Sequence, residues 1–309
     1  MQATVIIATY NRARILDHAL RALGSQTLDP AAFEVVIADD ASTDDTPDVV
    51  ALHRRKGLPV RLLPLDHHVG AAAARNEAIR ASTGELLVFI DSDIIVVPSF
   101  LEEHLASHRR WGRGIVTGPA MLIRSLEEIA RRRFTVWDWS SAPFAGGNAS
   151  VRREDALAAG LFDESFVELG WEDVEFGLRL KAMGLRTRFN VKAAAYHFKP
   201  DPPDPEKLAA YAASQGRMAV HLIHKHPGAE ARLATGLNPV GMAIDWLASI
   251  GDWDLRLARW VLARTDDASP SRLRTLALKQ LYNRTYFKAA REALSTASSA
   301  GSAEALPPS

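Results

Sequence analysis

The sequence predicts an α/β protein: a mostly parallel central sheet flanked by helices, followed by a C-terminal helical extension. Three observations predict it. The first hundred residues alternate apolar runs of strand length with amphipathic segments of helix length. One of those runs, Leu86-Leu87-Val88-Phe89-Ile90, is apolar throughout, as expected of a central strand buried on both faces. Beyond the Pro/Asp-rich stretch Pro200-Asp201-Pro202-Pro203-Asp204-Pro205, only helical periodicity remains.

The elements follow in order. Val5 to Ala8 is the first strand, and Ile15, Leu16, Ala19, Leu20 and Leu23 recur at helical spacing before Gly24. Phe33 to Ala38 is the second strand; it runs into the polar loop Asp39 to Asp44, and Thr46-Pro47 opens the next helix. Val60 to Leu65 is a third strand, Gly70 to Ala81 a helix, and Leu86 to Ile90 the central strand. Further on, a helix begins at Pro98, a strand spans Gly114 to Gly118, and Gly146-Gly147-Asn148 is a loop. Arg153 to Ala159 and Glu172 to Met183 are helices ended by glycines, and a strand follows at Thr187 to Phe189. Residues 1–200 are expected to form the sheet domain, 201–295 a helical region and 296–309, rich in Ser and Ala, a disordered tail. In the helical region Trp246, Ile250, Trp253, Leu257 and Trp260 form one apolar stripe. It is expected to pack against the main domain, the other readings being a second subunit in a homo-oligomer, a membrane or an acceptor surface. From Arg272 to Arg291 six cations stand without a carboxylate, a solvated face or a peripheral contact with anionic lipid through 268–292.

Composition excludes several classes. The 309 residues carry 37 basic and 37 acidic side chains, so no global field gathers nucleic acid, and nucleic-acid binding is not expected. No cysteine is present, which removes disulfides, thiolate metal sites and a cysteine nucleophile. The start Met1-Gln2-Ala3-Thr4 has no basic region before an apolar one, so a cytoplasmic protein is expected, at most peripheral at the inner face of a membrane. No Gly-x-Gly-x-x-Gly follows the first strand, and neither the P-loop signature nor Gly-x-Ser-x-Gly occurs. Dinucleotide redox, P-loop and serine-hydrolase chemistry lose support.

Open α/β sheets bind ligands outside the carboxyl ends of their strands. Three acidic clusters fall there: Asp39-Asp40, Asp91-Ser92-Asp93 and Glu172-Asp173. Asp91 and Asp93 put like charges on one turn, which a divalent cation such as Mg2+ or Mn2+ would neutralise; an N-cap and turn is the simpler alternative. His197 lies at a predicted strand end and offers a nitrogen ligand suited to Mn2+, although a lone histidine is more often structural. Glu172-Asp173 at a helix start either complements the helix dipole or orients a carboxylate for proton abstraction.

In order, Val5 to Arg12, Ile37 to Asp44, Gly70 through Arg75-Asn76, Phe89 to Asp93, Gly146-Gly147-Asn148 and Trp171-Glu172-Asp173 closely resemble the family 2 glycosyltransferases, inverting enzymes with a Rossmann-like GT-A fold. The resemblance covers roughly residues 3–200. It implies a nucleotide-diphosphate sugar donor, expected to be a UDP-sugar, with Thr9, Tyr10 and Asp40 on the base and the neighbouring Asn11 and Arg12 in the donor site. Arg75 is implied near the diphosphate, Asp91 with Ser92 at the ribose, and Asp93 on the metal with Asp91 and His197 as further ligands. Gly146, Gly147 and Asn148 are implied to line the sugar pocket. Asp173, with Glu172 beside it, matches the general base that deprotonates an acceptor hydroxyl, and Trp171 lies where acceptor contacts diverge. The acceptor is a glycan, a lipid-linked group or a small molecule. A retaining transferase, a nucleotidyltransferase and a non-catalytic nucleotide-sugar-binding scaffold of the same fold are the alternatives.

Overall fold

A computed structural model describes residues 2–140, 142–248, 252–265 and 272–303. The described chain divides into two compact units, one of residues 1–167 and 172–201, the other of residues 168–171 and 202–309.

The first unit is built on a seven-stranded sheet. Strands β1 (Ala3–Thr9), β2 (Phe33–Asp39), β3 (Val60–Pro64) and β4 (Leu86–Phe89) are joined by helices α1 (Ala13–Leu23), α2 (Thr46–Arg55) and α3 (Ala71–Ala81). After β5 (Ile94–Val96) come α4 (Phe100–Trp111), β6 (Ile115–Thr117), β7 (Ala120–Ile123), β8 (Ala149–Arg152), α5 (Arg153–Ala158), α6 (Glu172–Ala182), β9 (Thr187–Phe189) and β10 (Ala195–Phe198). The large sheet has the order β3-β2-β1-β4-β8-β6-β9. Only β8 runs against the others, antiparallel to β4 and β6. Sequence periodicity missed β5, β7, β8 and, as a strand within a sheet, β10. Each has three or four residues, too short for alternation to register.

Alternate residues of the central strands feed two separate cores. Val5, Ile7, Val35, Ile37 and Val88 meet Leu16, Leu20, Leu23 and Phe100 on one face. Ile6, Val36, Leu87 and Phe89 meet Ala74, Ile79, Phe144, Phe162 and Phe176 on the other. Strands covered on both faces must be apolar at every position, which is why these runs read as continuous. On the second face Phe162 stacks on Phe176 with ring centroids 4.4 Å apart, and Phe144 meets Phe89 edge-on at 5.2 Å. This aromatic packing seats α6, whose first turn carries Glu172 and Asp173.

The small sheet, in the order β5-β10-β7, does the positioning. β10 lies antiparallel to β5 with His197 opposite Ile94, so His197 arrives beside the residue that follows Asp93. The Phe198 N–H then donates to the Asp93 carbonyl at 2.8 Å.

The second unit contains α7 (Pro205–Lys225), α8 (Ala229–Thr235), α9 (Pro239–Ala248), α10 (Trp253–Leu262) and α11 (Arg272–Ala303). Asp204 caps α7 by accepting from the Glu206 and Lys207 N–H groups, with Pro205 at its first position. Gly216 lets α7 and α11 approach closely, since a methyl there would lie 2.3 Å from the Tyr286 carbonyl oxygen. Helix α11 continues to Ala303, past residue 296 where the tail was expected to begin; residues 304–309 lie outside the described residues.

Two expectations for this unit change. The cations of 272–291 do not form one solvated face. Arg284 is buried between Asp245 at 3.0 Å, Asp252 at 2.7 Å and Asp254 at 3.3 Å. Arg291 also pairs with Asp245, and Arg274 is buried, donating to the Leu262 and Thr265 carbonyls. The carboxylates that the segment lacks come from α9, α10 and the residue before α10. The tryptophan stripe, in turn, is not covered by the helices of its own unit: Trp246, Trp253, Leu257 and Trp260 all retain more than half of their accessible surface. Ile250 and residues 268–271 lie outside the described residues.

The seating of α6 generates a prediction whose sign is decided by packing. An alanine is intrinsically a better helix former than glycine by about 1 kcal/mol. At Gly177, however, a Cβ would sit 2.7 Å from Phe144 Cβ and 2.8 Å from its backbone nitrogen. Gly177→Ala is therefore expected to destabilise the protein by about 1–3 kcal/mol, as overpacking does, measured by urea unfolding. A stabilised variant would mean that α6 is not held against the Phe144 backbone.

Candidate active site

The site gathers at the carboxyl ends of β1, β2 and β4, where the sheet leaves polar groups uncovered. At the end of β1, Tyr10 is exposed and its ring lies 4.4 Å from that of His68, tilted by 32°. Asp40, after β2, is buried and accepts from the N–H groups of Val69 at 2.6 Å and Gly70 at 3.0 Å. His68 Nδ1 lies 2.8 Å from Asp40 Oδ2. Tyr10, Asp40 and His68 thus form one aromatic and acidic patch. In the sequence the pair His67-His68 suggests at most a weak metal site, and no spacing signal places His68 beside Asp40 and Tyr10. Asn11, with a left-handed φ of 51°, accepts from the Thr43 N–H at 2.8 Å and donates its own N–H to Ser42 Oγ at 2.8 Å. It ties the first loop to the second. Thr9 is buried, and its hydroxyl has no hydrogen-bond partner among the described residues.

The pair Asp91 and Asp93 resolves its repulsion with two arginines. Asp91 Oδ1 accepts from Arg75 Nη2 at 2.8 Å, and Asp93 Oδ2 accepts from Arg12 Nη1 at 2.8 Å. Ser92 between them is buried. The other arm of Arg75 donates to Glu172 Oε1 at 2.8 Å. Burial opposes the charge on Arg75, but Asp91, Glu172 and Asp173 more than offset it and hold its pKa above the ordinary value. Arg75 thereby bridges two carboxylates of the protein, Asp91 and Glu172.

Asp93 and His197 come together, with His197 Nε2 3.1 Å from Asp93 Oδ2. Asp93 Oδ1 is buried and without a hydrogen-bond partner among the described residues, the kind of orphan oxygen that a cation satisfies. Burial pushes the Asp93 carboxyl up, but His197, Arg12 and Lys199 outweigh it and keep the pKa below the usual range. Asp91 does not join them. Its carboxylate is taken by Arg75, and among the described residues no three His, Asp or Glu side chains cluster to hold a metal. A carboxylate oxygen and an imidazole nitrogen are donor types that fit Mg2+ or Mn2+.

Asp173 sits in the first turn of α6, half-buried. Its Oδ2 accepts from the Gly146 N–H at 3.1 Å and its Oδ1 from the Val174 N–H at 2.7 Å. Burial and the neighbouring charge of Glu172 push its pKa up to about 6, against the pull of those two N–H groups and Arg75. Gly146 and Gly147 let the backbone come this close. A Cβ on Gly147 would lie 3.1 Å from Asp91 Oδ2, and one on Gly146 3.5 Å from Arg75 Nη2.

Asn148, expected at the sugar pocket, follows the two glycines. It is buried, donates to the Pro119 and Ala193 carbonyls at 3.0 and 2.9 Å, and meets His104 Nε2 at 3.1 Å. These three side-chain bonds brace the backbone behind the glycines. Trp171 has a left-handed φ of 70° and its indole N–H donates to the Gln215 carbonyl at 2.9 Å, so its polar atom is already used.

Comparison with known proteins agrees with this geometry. Residues 4–157 match the family model described as Glycosyl transferase family 2. A validoxylamine A glucosyltransferase of Streptomyces hygroscopicus subsp. limoneus is 32% identical, over 59% of this chain and 48% of that protein. The chain therefore spans about half the length of that relative. A mannosyltransferase of Pyrobaculum calidifontis, solved with GDP-Man and Mn2+, superposes with a TM-score of 0.61 at 23% identity, over 95% of this chain and 87% of that one. TarS of S. aureus, solved with UDP-GlcNAc, superposes with a TM-score of 0.58 at 18% identity, over 94% and 91%. A mixed, mostly parallel sheet flanked by helices, the acidic residues at its strand ends and the matched motifs together place the chain in glycosyltransferase family 2, with the GT-A fold.

Proposed function

We propose that this protein transfers a sugar from a nucleotide-diphosphate sugar, a UDP-sugar in the simplest reading, to an acceptor hydroxyl with inversion, with Asp173 as general base. The observation that carries the proposal is the setting of Asp173: two backbone N–H groups fix its carboxylate, and its raised pKa lies near neutrality. A base of that strength is ionised at pH 7 and still basic enough to accept a proton in the transition state. Support for the donor class comes from relatives and neighbours whose names record glucosyl transfer and complexes with UDP-GlcNAc or GDP-Man.

Each residue then has a task that its position permits. Tyr10 offers a ring face to a nucleobase, and Asp40 an acceptor for a ring N–H. Asp173 takes the proton of the acceptor hydroxyl as that oxygen bonds to the anomeric carbon. The bond from that carbon to the diphosphate oxygen breaks on the opposite face, and the electron pair leaves with the nucleoside diphosphate. One displacement of this kind inverts the configuration. Arg75 holds Glu172 and Asp91, so the negative groups around Asp173 stay in place as the charge moves. Asp93 and His197 would hold a divalent ion, which when bound supplies charge neutralisation for a leaving diphosphate.

Two outcomes test this reading. Asp173→Asn is expected to lower the release of nucleoside diphosphate from the donor by about 10²–10⁴-fold, the range a general base contributes, while nucleotide affinity by calorimetry changes less than about twofold. Equal loss of binding and turnover would move Asp173 into donor binding. In the wild type, kcat/KM is expected to rise with pH through about 6 and then level off. The stability linkage runs the opposite way. A carboxyl with a raised folded-state pKa stabilises fully below its unfolded value and loses that contribution as pH rises through about 6. Asp173→Asn is therefore expected to be at least as stable as the wild type at pH 7 by thermal unfolding.

A further inference from the structure

The exposed stripe of α10 has a chemistry of its own. Trp253, Leu257 and Trp260 follow one another at steps of four and three on one helix face, exposed at 63%, 52% and 54%. The preceding helix α9 repeats the pattern with Val240, Ile244 and Leu247, exposed at 68%, 63% and 60%. Large apolar side chains left in water in this regular order mark a contact surface.

Charge says what covers it. Arg256, Arg259 and Arg264 are exposed on or just after α10, and the Arg264 guanidinium lies over the Trp260 ring, 4.5 Å from its centroid. The carboxylates of the same two helices are turned inward. Asp245 and Asp254 are buried, Asp245 against Arg284 and Arg291, Asp254 against Arg284 and the Gln280 amide. The outer face is thus apolar and cationic, with its acidic partners withdrawn into the unit. A helix with tryptophans on one side, arginines along its rim and no long apolar core is built to lie in a headgroup layer. Among the described residues no helix is long and apolar enough to cross a membrane. A second copy docked by a two-fold axis would set these arginines against one another, which disfavours it.

We infer that the exposed face of α10 docks this protein onto the surface of an anionic lipid bilayer, with Trp253, Leu257 and Trp260 entering the interface and Arg256, Arg259 and Arg264 meeting the headgroup phosphates. Of the six cations of 272–291, Arg274 and Arg284 are buried and Arg291 is paired with Asp245, so that run presents no continuous cationic face. The docking surface lies outside the site proposed for sugar transfer and does not depend on that chemistry.

The full-length chain tests this in co-sedimentation with phosphatidylcholine vesicles and with vesicles containing one-quarter phosphatidylglycerol. The expected result is partition onto the anionic vesicles at least about tenfold above the neutral ones, weakening as salt rises. The double variant Trp253→Ser/Trp260→Ser and the triple variant Arg256→Gln/Arg259→Gln/Arg264→Gln should each lose about tenfold or more, with unchanged thermal unfolding. Equal partition onto both vesicle types, none onto either, or partition unaltered by the variants would overturn the inference. So would a wild-type dimer in light scattering that the tryptophan variant dissociates, since a second copy would then occupy the face.

Discussion

Arg75 is the constraint on which the rest of the site depends. Its guanidinium joins Asp91, just past the end of a central strand, to Glu172 in the first turn of α6, and both bonds are 2.8 Å. Three carboxylates, those of Asp91, Glu172 and Asp173, stand close to one buried cation. Removing a partner from a buried ion pair commonly costs about 3–5 kcal/mol, so the arrangement is held as a unit. It also sets the chemistry. Burial and the charge of Glu172 leave Asp173 with a raised pKa even though Arg75 pulls it down.

The neutralisation of charge is divided with some economy. Asp91 goes to Arg75, Asp93 to Arg12 and His197, and Asp40 to two backbone N–H groups and His68. Of these three carboxylates, only that of Asp93 keeps a buried oxygen without a partner among the described residues. A small three-stranded sheet makes this possible, since pairing β10 with β5 fixes His197 next to the Asp91 to Asp93 turn. Behind it Asn148, His104 and Ser150 hold the glycine loop from the rear, with His104 Nδ1 2.8 Å from Ser150 Oγ. Burial of His104 and the nearby His108 lowers the pKa of the former to about 3, which keeps it neutral and in place.

Much of this was legible in the sequence because the signals were local. Strands buried on both faces read as continuous apolar runs, acidic residues after their ends marked Asp40, Asp91 and Asp93, and an acidic helix start marked Asp173. What escaped was set by pairing at long range. Nothing in the chain near Arg75 reveals that Glu172, ninety-seven residues away, takes one of its arms. Likewise the run of cations from Arg272 to Arg291 reads as a charged face only until α9 and α10 fold Asp245 and Asp254 against it. The stripe of Trp253, Leu257 and Trp260 shows the complementary lesson: periodicity identifies an apolar face but does not say that the fold covers it.

The central claim is that the strand ends form a nucleotide-diphosphate-sugar site, and binding tests it most directly. Thermal unfolding with UDP, GDP, dTDP and CMP, each with Mn2+ and with EDTA, reads binding without any knowledge of the acceptor. A ligand specific to the folded state at about 100 times its Kd stabilises by about 2.7 kcal/mol. The account predicts a shift for one nucleoside diphosphate, UDP in the simplest reading, that requires the metal and is lost in Asp93→Asn. Unfolding temperatures unchanged by all four nucleotides, with or without Mn2+, would contradict it.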